Sequence, residues 1–456
     1  MTDTEFNAWL NDPTSQKEII VEMEHAGGVV RVCRQGIATR PTDQHPNQII
    51  PGLLTSTIQI ESGFNSRLSF GGLEIVNTGE LDSWLDFKWY GYPVVILLGD
   101  KSWLTDDFRR VGVATNGGIT DASASQISFS LLDGSALFDQ PILSATASNG
   151  ELIPRAFGKT FAVTPVLTDH QTLEYQVSGG AVDSVVVMDN GAVVNHTADY
   201  ENGKFTLNSS PIGTLTADVT VNASLTAQNI LTQAANAVGM PVDGAALAAL
   251  PAYELGIFVN TNATWSALLD DVCTSLGAFW WVNEVGELTA AQFKEPSMVA
   301  DAEIIETHIR EGMITPILIE QPAFEIQLKY GRRWTQLSTL AGALDDETRD
   351  RLARQWDTQI YSNNLIGFRN AQPFELETAL ANSADALAEA QRLGSLKGHL
   401  RQQWRINTTI AGAELQPGQT LKITHPRFGF SSGKNALITR VSKSLVLSDI
   451  EIEVWL

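Results

Sequence analysis

LQPGQTLKITHPRFGFSSGKNALITRVSKSLVLSDIEIEVWL, residues 415–456, is the stretch whose reading decides the fold. Pro417 and Gly418 fit the central pair of a type II turn, in which Pro presets the first φ and Gly supplies the positive one. A strand follows at 420–424, and Pro426 then removes a backbone donor, so pairing ends near His425. Residues 436–441 and 450–455 read as two more strands. In the second, Ile450, Ile452 and Val454 share one face, and Asp449, Glu451 and Glu453 the other.

Moving toward the N-terminus, 404–410 alternates Trp404, Ile406, Thr408 and Ile410 with Arg405, Asn407 and Thr409, as a half-buried antiparallel strand does. A strand at 324–330 and helices at 346–359 and 383–393 complete a C-terminal β-barrel with inserted helices, residues 316–456. Further back the period changes to that of a helix. Trp265, Leu268, Leu269, Val272, Cys273 and Leu276 recur at helical spacing, with Thr264 or Asn262 as N-cap and Gly277 just past the end. A hairpin at 278–291 and an earlier helix at 226–238, closed by Gly239, make 223–315 a small α/β helix-hairpin module. Short strands separated by Gly- and Asn-containing turns fill 146–222, a second β-domain, and 17–145, an N-terminal β-barrel-like domain opening on a hairpin around Gly27-Gly28. Residues 1–16 form a polar arm with a short helix near 5–10. The fold class is therefore mainly β and multi-domain, with an α/β insertion.

A chain of 456 residues with 43% hydrophobic residues and 11 Trp has the material for about three domains at roughly 150 residues each. No apolar run reaches the ~18 residues of a membrane span, and the polar, acidic start lacks the pattern of a secretory signal. Two cysteines, Cys33 and Cys273, are too few for a disulfide framework and read as reduced, buried thiols. A formal charge of −22 argues against specific nucleic-acid binding, which depends on Lys and Arg neutralising phosphates. It suits the wall of a DNA conduit, because a like-charged lumen does not retain the passing polymer.

Motifs that carry chemistry are weak. Gly429-Phe430-Ser431-Ser432-Gly433 matches the GxSxG nucleophile elbow, but a strand follows where that motif needs a helix. Phe157-Gly158-Lys159-Thr160 ends like a phosphate loop, yet Ile153 stands where its first glycine belongs, so Pro154 and Gly158 read as shaping a linking loop. The seven histidines form no HExxH or i, i+4 pair, and the paired aspartates read as turn residues and caps. No catalytic residue, metal site or cofactor is expected. Adjacent Trp280 and Trp281 point to opposite sides of a strand, so one fills a core while the other needs separate cover. Together with Phe428 and Trp455 they are the interface candidates.

The closing "THPRFGFSSGK" loop with its terminal "IEVWL" strand resembles the C-terminal barrel of baseplate hub or tail-tip proteins of long-tailed, siphovirus-like bacteriophages and prophages. "GGLEIVNTGELDSWLDFKWYGYPVVILLGD" (71–100), "LLDGSALFDQPI" (131–142) and "PRAFGKTFAVTPVLTDHQTLEYQV" (154–177) are similar to blocks of such proteins in the same order. The resemblance implies a structural, non-enzymatic subunit at the virion's tail tip, assembled in the host bacterial cytoplasm. It implies a homotrimer in which two similar barrels per copy adapt the hexameric tail to trimeric tip or fibre components. The implied partners are the distal tail ring protein, the tail tube, the tape-measure protein, and tail fibres or receptor-binding proteins. Two other functions fit parts of the same pattern: a hexameric distal tail adaptor carrying receptor-binding proteins, and a cell-wall- or polysaccharide-degrading tip enzyme.

Overall fold

A computed structural model describes residues 2–456 except positions 13, 57, 65, 70, 284–285, 343, 364–367, 369, 410–411, 413–414 and 445–448. Near the N-terminus, six strands lie in the order Gly28–Cys33, Lys17–His25, Pro93–Asp100, Arg109–Ala122, Gln126–Leu132 and Gly72–Val76, every neighbour antiparallel. Alternation works here as the sequence predicts: Ile127, Phe129 and Leu131 are buried and the serines between them half-exposed. The segment around 51–55 bridges the two edges, Gly52 pairing with Cys33 and Leu54 with Ile75, so the sheet curls toward a closed barrel.

At the other end, the order is Ala302–Ile305, Thr420–Thr424, Lys434–Ser444, Asp449–Trp455, Arg401–Thr408 and Ile309–Glu320, with only the first contact parallel. Within each of the two sheets, four strands follow one path. Taken in chain order, the first lies beside the fourth, the fourth beside the third and the third beside the second, all antiparallel: Gly72–Val76, Pro93–Asp100, Arg109–Ala122 and Gln126–Leu132 in one, Arg401–Thr408, Thr420–Thr424, Lys434–Ser444 and Asp449–Trp455 in the other. Strand Gln59–Gly63 leaves the N-terminal part of the chain and pairs with Lys434–Ser444 in the C-terminal sheet. Arg440 of that strand binds Glu61 across the junction. One hydrophobic cluster accordingly runs from Val21, Met23 and Phe129 to Ile406, Ile423, Val441 and Ile452.

Between these ends, residues 155–221 form two smaller sheets around Tyr175, Val187, Phe205 and Val219. Gly158 lies inside strand Arg155–Val163 rather than in a loop, opposite Gly256 of strand Gly256–Val259. A Cβ on Gly158 would run into the Leu255 carbonyl and one on Gly256 into the Lys159 carbonyl, so the glycines serve close backbone approach.

The predicted helix spans Trp265–Ser275 and buries Trp265, Leu268, Leu269, Val272 and Cys273. Its N-cap is Thr264, whose Oγ1 accepts from the Ala267 N–H at 3.3 Å. Thr264→Ala is expected to lower stability by ~1 kcal/mol in chemical denaturation, the usual value of such a cap. An unchanged midpoint would show that Ser266, whose hydroxyl lies 2.9 Å from that of Thr264, takes over. The earlier helix, Ala227–Val238, ends on left-handed Gly239 as expected, and the hairpin is Ala278–Val282 with Leu288–Gln292. Helix 346–359 is corrected. It stops at Ala353, and Asp357–Ser362, whose Thr358, Ile360 and Tyr361 favour a strand, pairs with Glu325–Tyr330. The strand expected at 404–410 is Arg401–Thr408, and Ile410 lies outside the described residues. Strand Arg109–Ala122 escaped detection because three glycines interrupt its pattern.

Candidate assembly surface

A cleft of about 490 Å³ opens between the hairpin, helix Ser383–Lys397 and the C-terminal sheet. Phe64, Phe279, Phe293 and Trp455 supply its apolar wall, and Arg392 and Arg440 its charge. Trp455 is only 4% exposed, with the Phe293 ring edge-on at 4.7 Å and the Arg401 guanidinium 4.3 Å from its face. Arg392 donates from Nε to Glu389 at 2.8 Å and from Nη1 to the Phe293 carbonyl at 2.6 Å. Burial pushes the fully enclosed Glu389 carboxyl above its ordinary range, and Arg392 pulls it back. Arg392 is held by this clamp and Arg440 by Glu61 and Glu453, so these contacts tie the elements around the cleft together.

Burial and the nearby Glu18 push the Cys33 thiol up to about 11, and burial pushes Cys273 up further, so both are neutral and unreactive near neutral pH. The GxSxG serine lies in turns that lead into strand Lys434–Ser444. Among the described residues, no group of three or more His, Cys, Asp or Glu side chains is arranged to hold a metal ion.

The structure separates the four aromatic candidates. Trp280 and Trp281 do face opposite ways, both half-buried. Trp280 meets the Phe138 ring edge and donates from Nε1 to Asp270 at 2.7 Å, while Trp281 stacks on Phe279 at 5.0 Å. Trp455 is enclosed. Phe428 stands out, 42% exposed at the tip of the loop after Thr420–Thr424, its backbone at φ +59 in the region that non-glycine residues rarely occupy. Its ring lies 5.1 Å from Trp404, with the Arg427 guanidinium 4.8 Å from it.

Trp404 connects Phe428 to an edge that sequence reasoning missed. Pro316 pairs with Trp404, Leu318 with Gln403 and Ile319 with Gln402, and the shift between the first two pairs makes Ile317 a bulged residue. Ile317, Leu318 and Ile319 are 42%, 46% and 54% exposed, and Leu400 at the same end of the ladder is 41% exposed. An apolar run such as Pro316-Ile317-Leu318-Ile319 ordinarily signals a buried strand, and only pairing on one side reveals it as a surface. Charge is uneven too. Residues 401–456 hold seven basic and four acidic side chains, a net +3, which leaves −25 on the preceding 400. Among the described residues, neither the exposed Arg427, beside Phe428, nor the exposed Lys434, beside the buried Phe430, has an ion-pair partner.

No protein-family model matches the sequence, and no curated protein is recognisably similar to it. Among solved structures, similar chain paths occur in the 43 kDa tail protein of prophage MuSo2 from Shewanella oneidensis, at 11% identity, TM-score 0.46, and coverage of 96% of this chain and 98% of that one. The tail protein of Neisseria meningitidis gives 11%, 0.46 and 96% of each chain. Prophage tail protein gp18 of Listeria monocytogenes gives 10% identity, TM-score 0.42, and 96% and 94% coverage, so the solved structures this chain is similar to include tail proteins from three bacterial sources.

Proposed function

We propose that the protein is a structural, non-enzymatic hub of a phage-type tail, a homotrimeric ring around the tail channel that adapts a hexameric tail to trimeric tip or fibre components. The duplicated four-strand path carries this reading. Two such sheets in one chain, fastened by strand Gln59–Gly63 and a common core, allow three copies to offer six similar faces on one side and three on the other. The resemblance of residues 71–100, 131–142, 154–177 and 415–456 to hub sequences supports the same conclusion. The ring would meet the distal tail ring protein, tail tube and tape-measure protein above, and fibres or receptor-binding proteins below, at the virion's tip.

Native mass measurement of the purified assembly, alone and with its distal tail ring protein, is expected to return three copies. Six copies would favour the distal adaptor, and a monomer under every condition would refute the ring. Clearing of peptidoglycan or host polysaccharide in zymograms would overturn the non-enzymatic assignment. Free protein at physiological salt is expected to show no measurable affinity for duplex DNA, since an acidic wall repels it. Tight, steeply salt-dependent binding would count against a conduit.

A further inference from the structure

We propose that residues 331–356 form a strap that closes over the sheets of residues 155–221, and that the carboxyl of Asp218 beneath it makes this closure tighter in acid than at neutral pH. The device is independent of the ring reading.

The strap is a loop closed at its base, where the Arg333 N–H donates to the Gln355 carbonyl at 2.8 Å. Arg349 staples it internally, donating to the carbonyls of Gly342 at 2.8 Å and Leu344 at 3.0 Å. Its grip on the neighbouring sheets is brief: the N–H groups of Trp334, Thr335 and Ala341 donate to the carbonyls of Phe161, Ala162 and Asn190 at 3.1, 2.9 and 2.9 Å. Leu340, Leu344 and Leu352 crowd Gly191, where a Cβ would collide with Leu352. Against this stand Arg332 Nε, Arg333 Nη1 and Trp334 Nε1, buried donors on three consecutive residues without a hydrogen-bond partner among the described residues. Unpaired buried donors weigh against the closed arrangement, so the strap is poised rather than locked.

Asp218 prepares the seat. Strand Arg155–Val163 carries one extra residue between Thr160 and Val163 relative to strand Leu215–Val221, and Ala162 in that bulge has φ +48. Its N–H turns to Asp218 Oδ1 at 2.8 Å, while the Phe161 and Ala162 carbonyls accept from the strap. The carboxyl also lines a cavity of about 320 Å³ under the strap, with Arg333, Arg351 and Asp357. Burial raises it above the ordinary carboxylate range, and the Ala162 N–H, Arg351 and Arg333 pull it back. Asp357 is occupied by Arg333 at 2.7 Å, with Arg354 at 4.0 Å. Opening admits water and returns Asp218 toward its ordinary value. The closed strap therefore binds the proton more tightly; its advantage is full below the ordinary range and lost as pH rises through the raised value.

Hydrogen exchange of the Trp334, Thr335 and Ala341 amides in the full chain, corrected for the intrinsic effect of pH, tests this, with the amides of strand Ser184–Asp189 as a control for the sheet. Wild type is expected to protect the strap amides about twofold or more better at about pH 4.5 than at about pH 7.5. Asp218→Asn keeps an oxygen for the Ala162 N–H without the charge, and is expected to hold the higher protection at both values. Asp218→Ala removes that acceptor and is expected to lower protection at both, with strand Ser184–Asp189 unchanged. Wild-type protection independent of pH, an Asn variant that keeps the wild-type pH dependence, an Ala variant with unchanged protection, or strap amides that open only together with Ser184–Asp189 would each overturn the proposal.

Discussion

A chain ending at Asp449 is expected to lose the C-terminal sheet altogether. Strand Asp449–Trp455 is central, paired on one side with Arg401–Thr408 and on the other with Lys434–Ser444. Ile450, Ile452 and Val454 are completely buried and Trp455 is 4% exposed. Four such side chains at about 1.5–3 kcal/mol each amount to roughly 6–12 kcal/mol, comparable with the ~5–15 kcal/mol by which whole domains are stable. Guanidinium unfolding followed by tryptophan fluorescence would show the loss as a missing or greatly shifted transition. Ile452→Ala offers a graded version, with ~2–5 kcal/mol expected from the cavity. A truncated chain that retains the full transition would mean that the strand is peripheral to the sheet.

Arg392→Met is expected to destabilise by ~3–5 kcal/mol, because it leaves Glu389 enclosed without its counter-charge. The cost depends on pH in a direction that follows from burial. Glu389 already titrates above its ordinary value in the folded chain, so folding favours its protonated form; that contribution is present at acid pH and is lost as pH rises through the folded pKa. Removing Arg392 raises the folded pKa further. The variant's deficit is therefore largest near about pH 8 and shrinks toward about pH 5, where a proton replaces the lost cation. Urea titrations at the two values would measure it, and a deficit independent of pH would show that Arg392 matters for its hydrogen bonds to Leu276 and Phe293 alone. The double variant Glu389→Leu with Arg392→Met is expected to recover much of the stability, since neither charge is then stranded.

Local signals carried far into this fold where they agreed with tertiary structure. Thr264, the helical run after it and the Gly239 stop were legible because caps and spacing act within one element. The terminal strand was legible because its two faces differ in polarity. Strand Asp357–Ser362 was not, since the charged helical run before it was carried on to Gln359, although Thr358, Ile360 and Tyr361 are strand formers that pair with Glu325–Tyr330. The candidate surface divides likewise. Phe428 was named from its loop, whereas Pro316 to Ile319 could not be, because the same letters in a paired strand would be core. Trp455 shows the converse: an aromatic near the chain end is enclosed by Phe293 and Arg401, elements far from it in sequence.

The strand Gln59–Gly63, seated beside Lys434–Ser444, sets a timetable for biosynthesis. Glu61 waits for Arg440 across 379 residues of chain, which at roughly 5–20 residues per second is about 20–75 s of translation. During that interval the nascent N-terminal part carries an unsatisfied β-edge on the ribosome, a natural client for chaperones. The seating of this strand then depends on late synthesis: a product that stops short of Lys434 has no place to dock it, and such a fragment cannot join the two sheets.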